Sequence, residues 1–330
     1  MSRAGLVLVL IGVLAAVLAP ALAPHRSDER FVNLLNAPPT LPRLIDDAGG
    51  WRAPFIYPWT LVDRLAQRYE QDRTRPVALA WFSRGRLVES ADPLSRPLLL
   101  LGTDSYGRDV FSRLLFGARV SLGLSVLAAL GSILAGGLAG GVAGYAGGMA
   151  DDVLIRTTDV VMVLPAIYVV LALRAVLPLV LDPLAVFLFL TLIFAIVGAP
   201  FVARGVRAIV RRERRLDYAV AAASLGAGHI RLLGRHLLPA ARGFAAVEMT
   251  MLVPAFIMAE ATLSYVGLGF PEPVASWGTM LHDASNIRTL ADFPWLLSPV
   301  AAIFLFVLGL NLVLQGGAAR AGRGIGGPHT

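Results

Sequence analysis

Two glutamates, Glu248 and Glu260, are the side chains best placed for chemistry, because both lie within one long apolar block. Carboxylates at membrane depth usually face the interior of a helical bundle or a water-filled path. The two are twelve residues apart, which is about 18 Å along a helix. That separation is too large for a carboxylate pair acting on one bond. The spacing favours a structural partner or a path-lining role over catalysis.

Other catalytic patterns are absent from the sequence. The five histidines are far apart and show no His-Glu-x-x-His spacing, cysteine is absent, and no Gly-x-Ser-x-Gly elbow occurs. We therefore expect no catalytic residue, no metal site and no cofactor bound by this chain alone. Lysine is also absent, so the chain cannot form a P-loop, and any ATP that drives its function must bind to another chain.

The composition is that of a protein that crosses a membrane several times, with 56% hydrophobic residues. The net charge of +7 does not indicate nucleic-acid binding, because the arginines are spread over one long loop and one cluster between apolar blocks. Six apolar runs predict an all-α bundle of six transmembrane helices. They are Gly5–Ala23, Val120–Tyr145, Val153–Leu181, Leu184–Val202, Phe244–Leu268 and Leu296–Leu314.

These runs divide the chain into segments. We expect a first transmembrane helix (1–23), a soluble external insert (24–101), an interfacial amphipathic helix (102–118), a transmembrane domain (119–315) with a cytoplasmic loop (203–242), and a disordered cytoplasmic tail (316–330). A signal peptide is the alternative for the first segment, since Ala21-Leu22-Ala23 resembles a cleavage site. Pro24, directly after that site, favours an uncleaved helix.

Orientation is predicted from the loop at 203–242, where nine arginines stand against only Glu213 and Asp217. Such an excess indicates the cytoplasmic side, so both termini are expected to be cytoplasmic and the insert external. Within the insert, Val62, Leu65, Ala66 and Tyr69 have helical spacing, and residues 81–88 are expected to form a hairpin.

Two further patterns occur in the predicted second and third spans. Gly136, Gly140 and Gly144 recur every four residues, which predicts a flat helix face for close packing. Asp159 lies near the start of the third span and is a further candidate for a translocation path. Pro165 predicts a kink in that span.

The stretch 216–239 interrupts the apolar blocks on the arginine-rich side. Asp217 is expected to N-cap a short helix that ends at Gly226, a residue suited to the left-handed conformation. The helix is too short to span a bilayer and must lie on another surface. One face of it carries small and apolar residues at helical spacing: Tyr218, Ala221, Ala222 and Leu225.

Three separated motifs resemble the dipeptide, oligopeptide and nickel permeases of binding-protein-dependent ABC importers. Val220, Ala221, Ala222 and Gly226, followed by His236 to Pro239, resemble the family's EAA loop, with Val220 in place of its glutamate. The segment before the second span matches at Leu101–Asp104, Gly107–Asp109, Ser112–Arg113 and Gly117–Arg119. The third motif comprises Glu260–Ala261, Leu263–Tyr265, Gly267–Gly269 and Ser276–Gly278.

The resemblance implies a permease subunit that moves a solute by alternating access in the inner membrane. The EAA helix would dock on cytoplasmic ATPase subunits that carry ATP and Mg²⁺, beside a second homologous permease. A substrate-binding protein would deliver the solute at the outer face. We expect the solute to be a peptide, with nickel chelates, opines or sugars as the alternatives. A membrane-embedded enzyme, and an ABC-type membrane protein that moves no solute, are the alternatives from other classes.

Overall fold

The computed structural model describes residues 3–46, 49–64, 66–163, 166–176, 181–285 and 291–324. They form two compact units: Met1–Leu122 with Glu260–Gly316, and Gly123–Ala259 with Gly317–Thr330. Most of the chain is helical. The helices are α1 (Arg3–Val17), α2 (Ala19–Leu22), α3 (Val110–Ala146), α4 (Gly148–Val163), α5 (Ala166–Val176), α6 (Pro183–Glu213), α7 (Asp217–Ser224), α8 (His229–Leu232), α9 (Arg242–Tyr265), α10 (Trp277–Asp283) and α11 (Ser298–Gly324).

Four helical segments are long and apolar enough to cross a membrane: Val110–Ala146, Pro183–Glu213, His229–Tyr265 and Pro294–Gln315. The predicted first span is the shorter apolar helix α1, followed by α2. The predicted third span corresponds to α4 and α5. Residues 164 and 165 between them, and with them the predicted kink at Pro165, lie outside the described residues.

The insert contains β-structure, so the chain is mostly helical rather than all-α as predicted. Its strands are β1 (Arg43–Ile45), β2 (Trp51–Ile56), β3 (Trp59–Asp63), β4 (Arg68–Gln71), β5 (Val77–Trp81) and β6 (Val88–Ser90). A four-stranded sheet has the order β1-β2-β5-β6, and β3 pairs with β4 in a separate ribbon, with every pairing antiparallel. The hairpin expected at 81–88 is confirmed, since Trp81 pairs with Val88.

The prediction of a helix from Val62 to Tyr69 is wrong. These residues belong to β3, β4 and the turn that joins them, with Leu65 outside the described residues. The turn is stabilised by the Asp63 carboxylate, which accepts a hydrogen bond from the Ala66 amide at 3.1 Å, and by Gln67, whose φ is +47°. A left-handed residue cannot continue a right-handed helix, so turn chemistry outweighs the apolar spacing.

The helix before the second span begins later than predicted. Residues 102–109 form an irregular turn closed by a bridge between Thr103 and Asp109, and α3 begins at Val110 and continues to Ala146 without interruption. The Asp109 carboxylate accepts hydrogen bonds from the amides of Phe111 at 3.2 Å and Ser112 at 3.1 Å. A carboxylate in this position satisfies amides that have no partner within the helix, which explains the later start.

The second unit is built around α6, which packs on α3 and α9. Phe194 of α6 stacks on Phe256 of α9 with ring centroids 5.3 Å apart. Added Cβ atoms at Gly136 and Gly144 would lie 2.8 Å from Val202 Cβ and 2.7 Å from the Arg207 carbonyl oxygen, and one at Gly140 would meet the backbone of Ala203. The glycines thus allow α3 to approach the backbone of α6 closely.

The end of the chain also differs from expectation. The tail was predicted to be disordered from Gly316, but α11 continues as a helix to Gly324. Four of the nine residues at 316–324 are glycines, which disfavour a helix. The stretch nevertheless continues α11, because extending an existing helix costs much less than nucleating a new one. Residues 325–330 lie outside the described residues.

Candidate coupling site and buried polar clusters

The candidate coupling site is the short helix α7, eight residues long, which follows α6 after a three-residue turn. Leu216 is the N-cap, with φ −79° and ψ 151°, and no side chain caps the helix. The expectation that Asp217 is the N-cap is therefore wrong. Asp217 already lies in the first helical turn, where its negative charge interacts favourably with the helix dipole.

Gly226 ends this helix in the left-handed conformation, with φ +86°. The amide of Gly226 donates to the Ala223 carbonyl at 3.0 Å, and the amide of Ala227 donates to the Ala222 carbonyl at 3.1 Å. These two bonds form a Schellman motif, which satisfies carbonyls that the helix leaves unpaired. The position of the helix end therefore depends on a residue that adopts positive φ without strain.

Most of α7 is exposed. Tyr218, Val220 and Leu225 are 43%, 54% and 89% exposed, whereas Ala219 is 1% exposed and packs against the rest of the protein. Ala221 is exposed and Ala222 half-buried. The face predicted to carry a contact is thus largely open, and an apolar surface of this kind is typical of an interaction site.

A polar contact that the sequence analysis missed fixes α7 to the end of α6. Tyr218 Oη donates a hydrogen bond to Glu213 Oε2 at 2.8 Å, and Arg212 Nη2 donates to Glu213 Oε1 at 3.0 Å. Burial, together with the hydrogen bond to Glu213, raises the pKa of the Tyr218 hydroxyl. Glu213 was visible in the sequence only as one of two acids in an arginine-rich loop. This contact connects the first turn of α7 to the C-terminal end of α6.

The segment after α7 leads directly into α9. A π-helical turn covers Leu233–Leu237 and a 3₁₀ turn covers Leu238–Ala241. Pro239 has no amide hydrogen to continue an α-helical ladder, so a change of helix type is expected here. Leu237 is fully buried and Ile230 is 90% exposed, which leaves a second apolar side chain near α7 open to solvent.

Glu260 is fully buried and makes several hydrogen bonds. Its carboxylate accepts from three hydroxyls: Ser121 Oγ at 2.9 Å, Ser264 Oγ at 2.8 Å and Ser276 Oγ at 2.7 Å. Ser121 Oγ in turn accepts from the Trp277 amide at 3.1 Å. The network joins α9 to the first part of α3 and to the start of α10. A buried carboxyl group that receives this many hydrogen bonds is a structural junction.

The other candidates for a translocation path have different surroundings. Glu248 is half-buried and makes no hydrogen bond or ion pair with the residues that the structure describes. Asp159 is paired with Arg204, whose Nε also donates to Thr158 Oγ1 at 3.0 Å. The two glutamates are on one helix and three turns apart, as the spacing predicted. No group of three or more histidines or acids in the described ranges is arranged to hold a metal ion.

A buried charge cluster lies at the start of α3, and the sequence analysis did not predict it. Arg108 and Arg113 have side chains 0% and 1% exposed. Arg108 Nε lies 2.7 Å from Asp104 Oδ2, Arg108 Nη2 lies 2.7 Å from Asp283 Oδ2, and Arg108 also pairs with Glu272. Burial raises the pKa of Asp283, while the two arginines act in the opposite direction. The cluster links the turn before α3 to α10 and to the loop that precedes it.

The four apolar spanning segments and the buried polar junctions between them define a multi-pass membrane protein. A family model described as binding-protein-dependent transport system inner membrane component matches residues 132–325. The match covers more than half of the chain, which therefore belongs to this family. The family predicted from the three motifs is confirmed, and the chain is a multi-pass inner-membrane transport component rather than an enzyme.

Relatives with known names agree with this assignment. The chain is 38% identical to the oligopeptide transport system permease protein OppC of Bacillus subtilis over 216 residues, which are 65% of this chain and 68% of that protein. It is 39% identical to the dipeptide transport system permease protein DppC of Bacillus subtilis over 265 residues, 80% of this chain and 73% of that protein. Identity to the glutathione transport system permease protein GsiD of Pectobacterium atrosepticum is 35% over 216 residues, 66% and 69% of the two chains.

Proposed function

We propose that this chain is a permease subunit of an ABC importer that moves short peptides across the inner membrane. The observation that carries the proposal is that the three relatives above are named as permease proteins of oligopeptide, dipeptide and glutathione transport systems, and that they align with most of this chain. Nickel chelates, opines and sugars remain alternative solutes, since the binding protein performs most of the recognition in such systems.

The proposed coupling element is α7, which would insert into a groove of a cytoplasmic ATPase subunit. Its exposed side chains, Tyr218, Val220 and Leu225, form the contact surface. The hydrogen bond from Tyr218 to Glu213 transmits displacement of α7 to α6. ATP binding on the partner would then favour one arrangement of the helices over the other, which is a population shift.

Val220 stands where the family motif has glutamate, and it is 54% exposed. An apolar side chain there cannot make a charged hydrogen bond to the ATPase, so the contact in this protein would depend on apolar packing. The helix itself does not need the glutamate, because its start and end are formed by Leu216 and Gly226.

We further propose six spans with cytoplasmic termini and an external insert. The arginine-rich stretch at 204–242 supports this orientation. The chain would pair with a second, homologous permease to enclose the path, and a substrate-binding protein would meet the external side. ATP and Mg²⁺ would be held by the ATPase subunits, since this chain has no lysine for a P-loop.

Within the path, the proposed roles of the two glutamates differ. Glu260 already receives three hydroxyl donors and would hold the bundle together. Glu248 has no partner among the described residues and is the better candidate for contact with water or solute.

The proposal is tested by isolating the tagged full-length chain from membranes and identifying the proteins that co-purify. We expect an ATPase with Walker motifs and a second permease, and we expect the reconstituted complex to take up a labelled tripeptide only with ATP and binding protein. Recovery of a stable chain without an ATPase would contradict the importer assignment. An ATPase-containing complex that takes up no solute would instead support a protein that transmits force or signals.

A further inference from the structure

A polar recess lies in the second unit where α3 ends and α4 begins. Its volume is about 400 Å³, within the range of about 300–1,000 Å³ typical of small-molecule sites. Three arginines and one aspartate line it, together with the glycine-rich turn between the helices. The lining residues are Gly144, Gly147, Gly148, Asp151, Arg211, Arg214 and Arg215.

The three arginines that line the recess carry more positive charge than its one aspartate can neutralise. Asp151 is already bound by Arg207, whose Nη2 lies 2.6 Å from Asp151 Oδ2, and Arg211 Nη1 lies 3.4 Å from the same oxygen. Arg214 makes a hydrogen bond to the Tyr145 carbonyl, and its guanidinium lies 5.2 Å from the centre of the Tyr145 ring. The single carboxylate therefore does not neutralise the recess.

Arg215 is the clearest unpaired cation in the lining. Its guanidinium makes no hydrogen bond or ion pair with any residue in the ranges that the structure describes, and its side chain is exposed. The first amides of α4 lie at the same turn, where the helix dipole favours negative charge. Arginine is well suited to phosphate, because its planar fork donates two parallel hydrogen bonds to phosphate oxygens.

We propose that this recess binds a phosphate group through Arg211, Arg214 and Arg215. Two sources share this chemistry: the headgroup of an anionic phospholipid and a soluble phosphate. Basic pockets between membrane-spanning helices recognise anionic headgroups in this way. None of the lining residues belongs to α7, so the site goes beyond the proposed coupling function and does not depend on the identity of the solute.

The test uses the full-length chain with its co-purifying subunits in a non-ionic detergent, titrated with short-chain phosphatidylglycerol and followed by native mass spectrometry. Arg215→Gln removes a side chain without an internal partner, so folding should be unaffected. We expect about fivefold weaker lipid binding, and about 30-fold weaker binding for Arg214→Gln with Arg215→Gln, from about 1 kcal/mol for each lost hydrogen-bonded contact between arginine and phosphate. The matched control is Arg156→Gln with Arg231→Gln, which removes the same charge from exposed arginines outside the lining.

Two further probes distinguish the sources of phosphate. If inorganic phosphate, but not sulfate, competes with phosphatidylglycerol and shows the same dependence on Arg215, the site takes soluble phosphate. If only phosphatidylglycerol binds, with phosphatidylcholine inactive, the site takes an anionic lipid. Equal losses in the recess variant and the control would overturn the proposal, because they would show general charge attraction. Loss of the ATPase subunit from the recess variant, without any change in lipid or phosphate binding, would make the recess a protein contact and would also overturn it.

Discussion

Replacement of Gly226 by valine tests whether the end of α7 matters for coupling. No atom lies within 4 Å of an added Cβ at Gly226, so the substitution creates no clash with neighbouring residues. Its cost arises from the backbone alone, because φ is +86° there. The left-handed conformation costs an L-residue about 1–2 kcal/mol, and β-branched residues resist it most. That energy lowers the population of the intact helix end about five- to thirtyfold relative to a frayed one.

The chain offers a matched control two residues away. Gly228 also has no atom within 4 Å of an added Cβ, but its φ is −63° and its ψ is 154°, an extended conformation that valine adopts readily. Gly228→Val therefore adds the same side chain to the same loop without backbone strain. Gly226→Asn should lie between the two, because asparagine tolerates the left-handed region better than other residues.

The assay is uptake of labelled tripeptide per ATP hydrolysed, measured on the complex in proteoliposomes. We expect Gly226→Val to lower this ratio at least about fivefold, with normal insertion and subunit assembly, and Gly228→Val to leave it unchanged. A Gly226→Val complex with the wild-type ratio would refute the role assigned to the helix end. Equal losses in the two valine variants would show that bulk in the loop, rather than the left-handed residue, is responsible.

Three further substitutions test the packing and the buried clusters. Glu260→Ala should lower the melting temperature of the detergent-solubilised protein strongly, since each abandoned hydroxyl costs about 1–3 kcal/mol, whereas Glu260→Gln keeps an acceptor and should lose less; equal losses would argue against the network. Arg108→Lys should destabilise by up to about 3–5 kcal/mol, because a single ammonium nitrogen cannot replace the three separate nitrogens through which Arg108 reaches three carboxylates. Exposed Arg156→Lys should be neutral in the same melting assay. Gly140→Ala should lower the free energy of unfolding by about 1–3 kcal/mol, because the added methyl group overpacks against α6. Gly137→Ala should be neutral, because no atom lies within 4 Å of an added Cβ there. A larger loss for Gly137→Ala than for Gly140→Ala would place the helix contact elsewhere.

Local patterns predicted much of this protein correctly. Runs of apolar residues predicted four of the spanning helices, because helix formation in a membrane depends mainly on length and hydrophobicity within one segment. The left-handed conformation at Gly226 and the hairpin at 81–88 were predicted for the same reason, since turn chemistry acts within a few residues. The family was predicted from motifs of this local kind.

Contacts between distant residues were decided only by the tertiary structure. Arg108 bonds to Glu272 and Asp283, which lie 164 and 175 residues further along the chain, and Ser121 reaches Glu260 across 139 residues. The sequence pattern does not indicate which charged side chains will pair. An unpaired charge becomes costly only when it is buried, and burial depends on how the helices pack. The segment at 62–69 shows the converse: its apolar spacing suits a helix, but pairing between β3 and β4 makes it a ribbon. The residues within each segment therefore determine most of the spanning helices and turns of this protein. Which charged side chains pair in its interior depends on how the segments pack together.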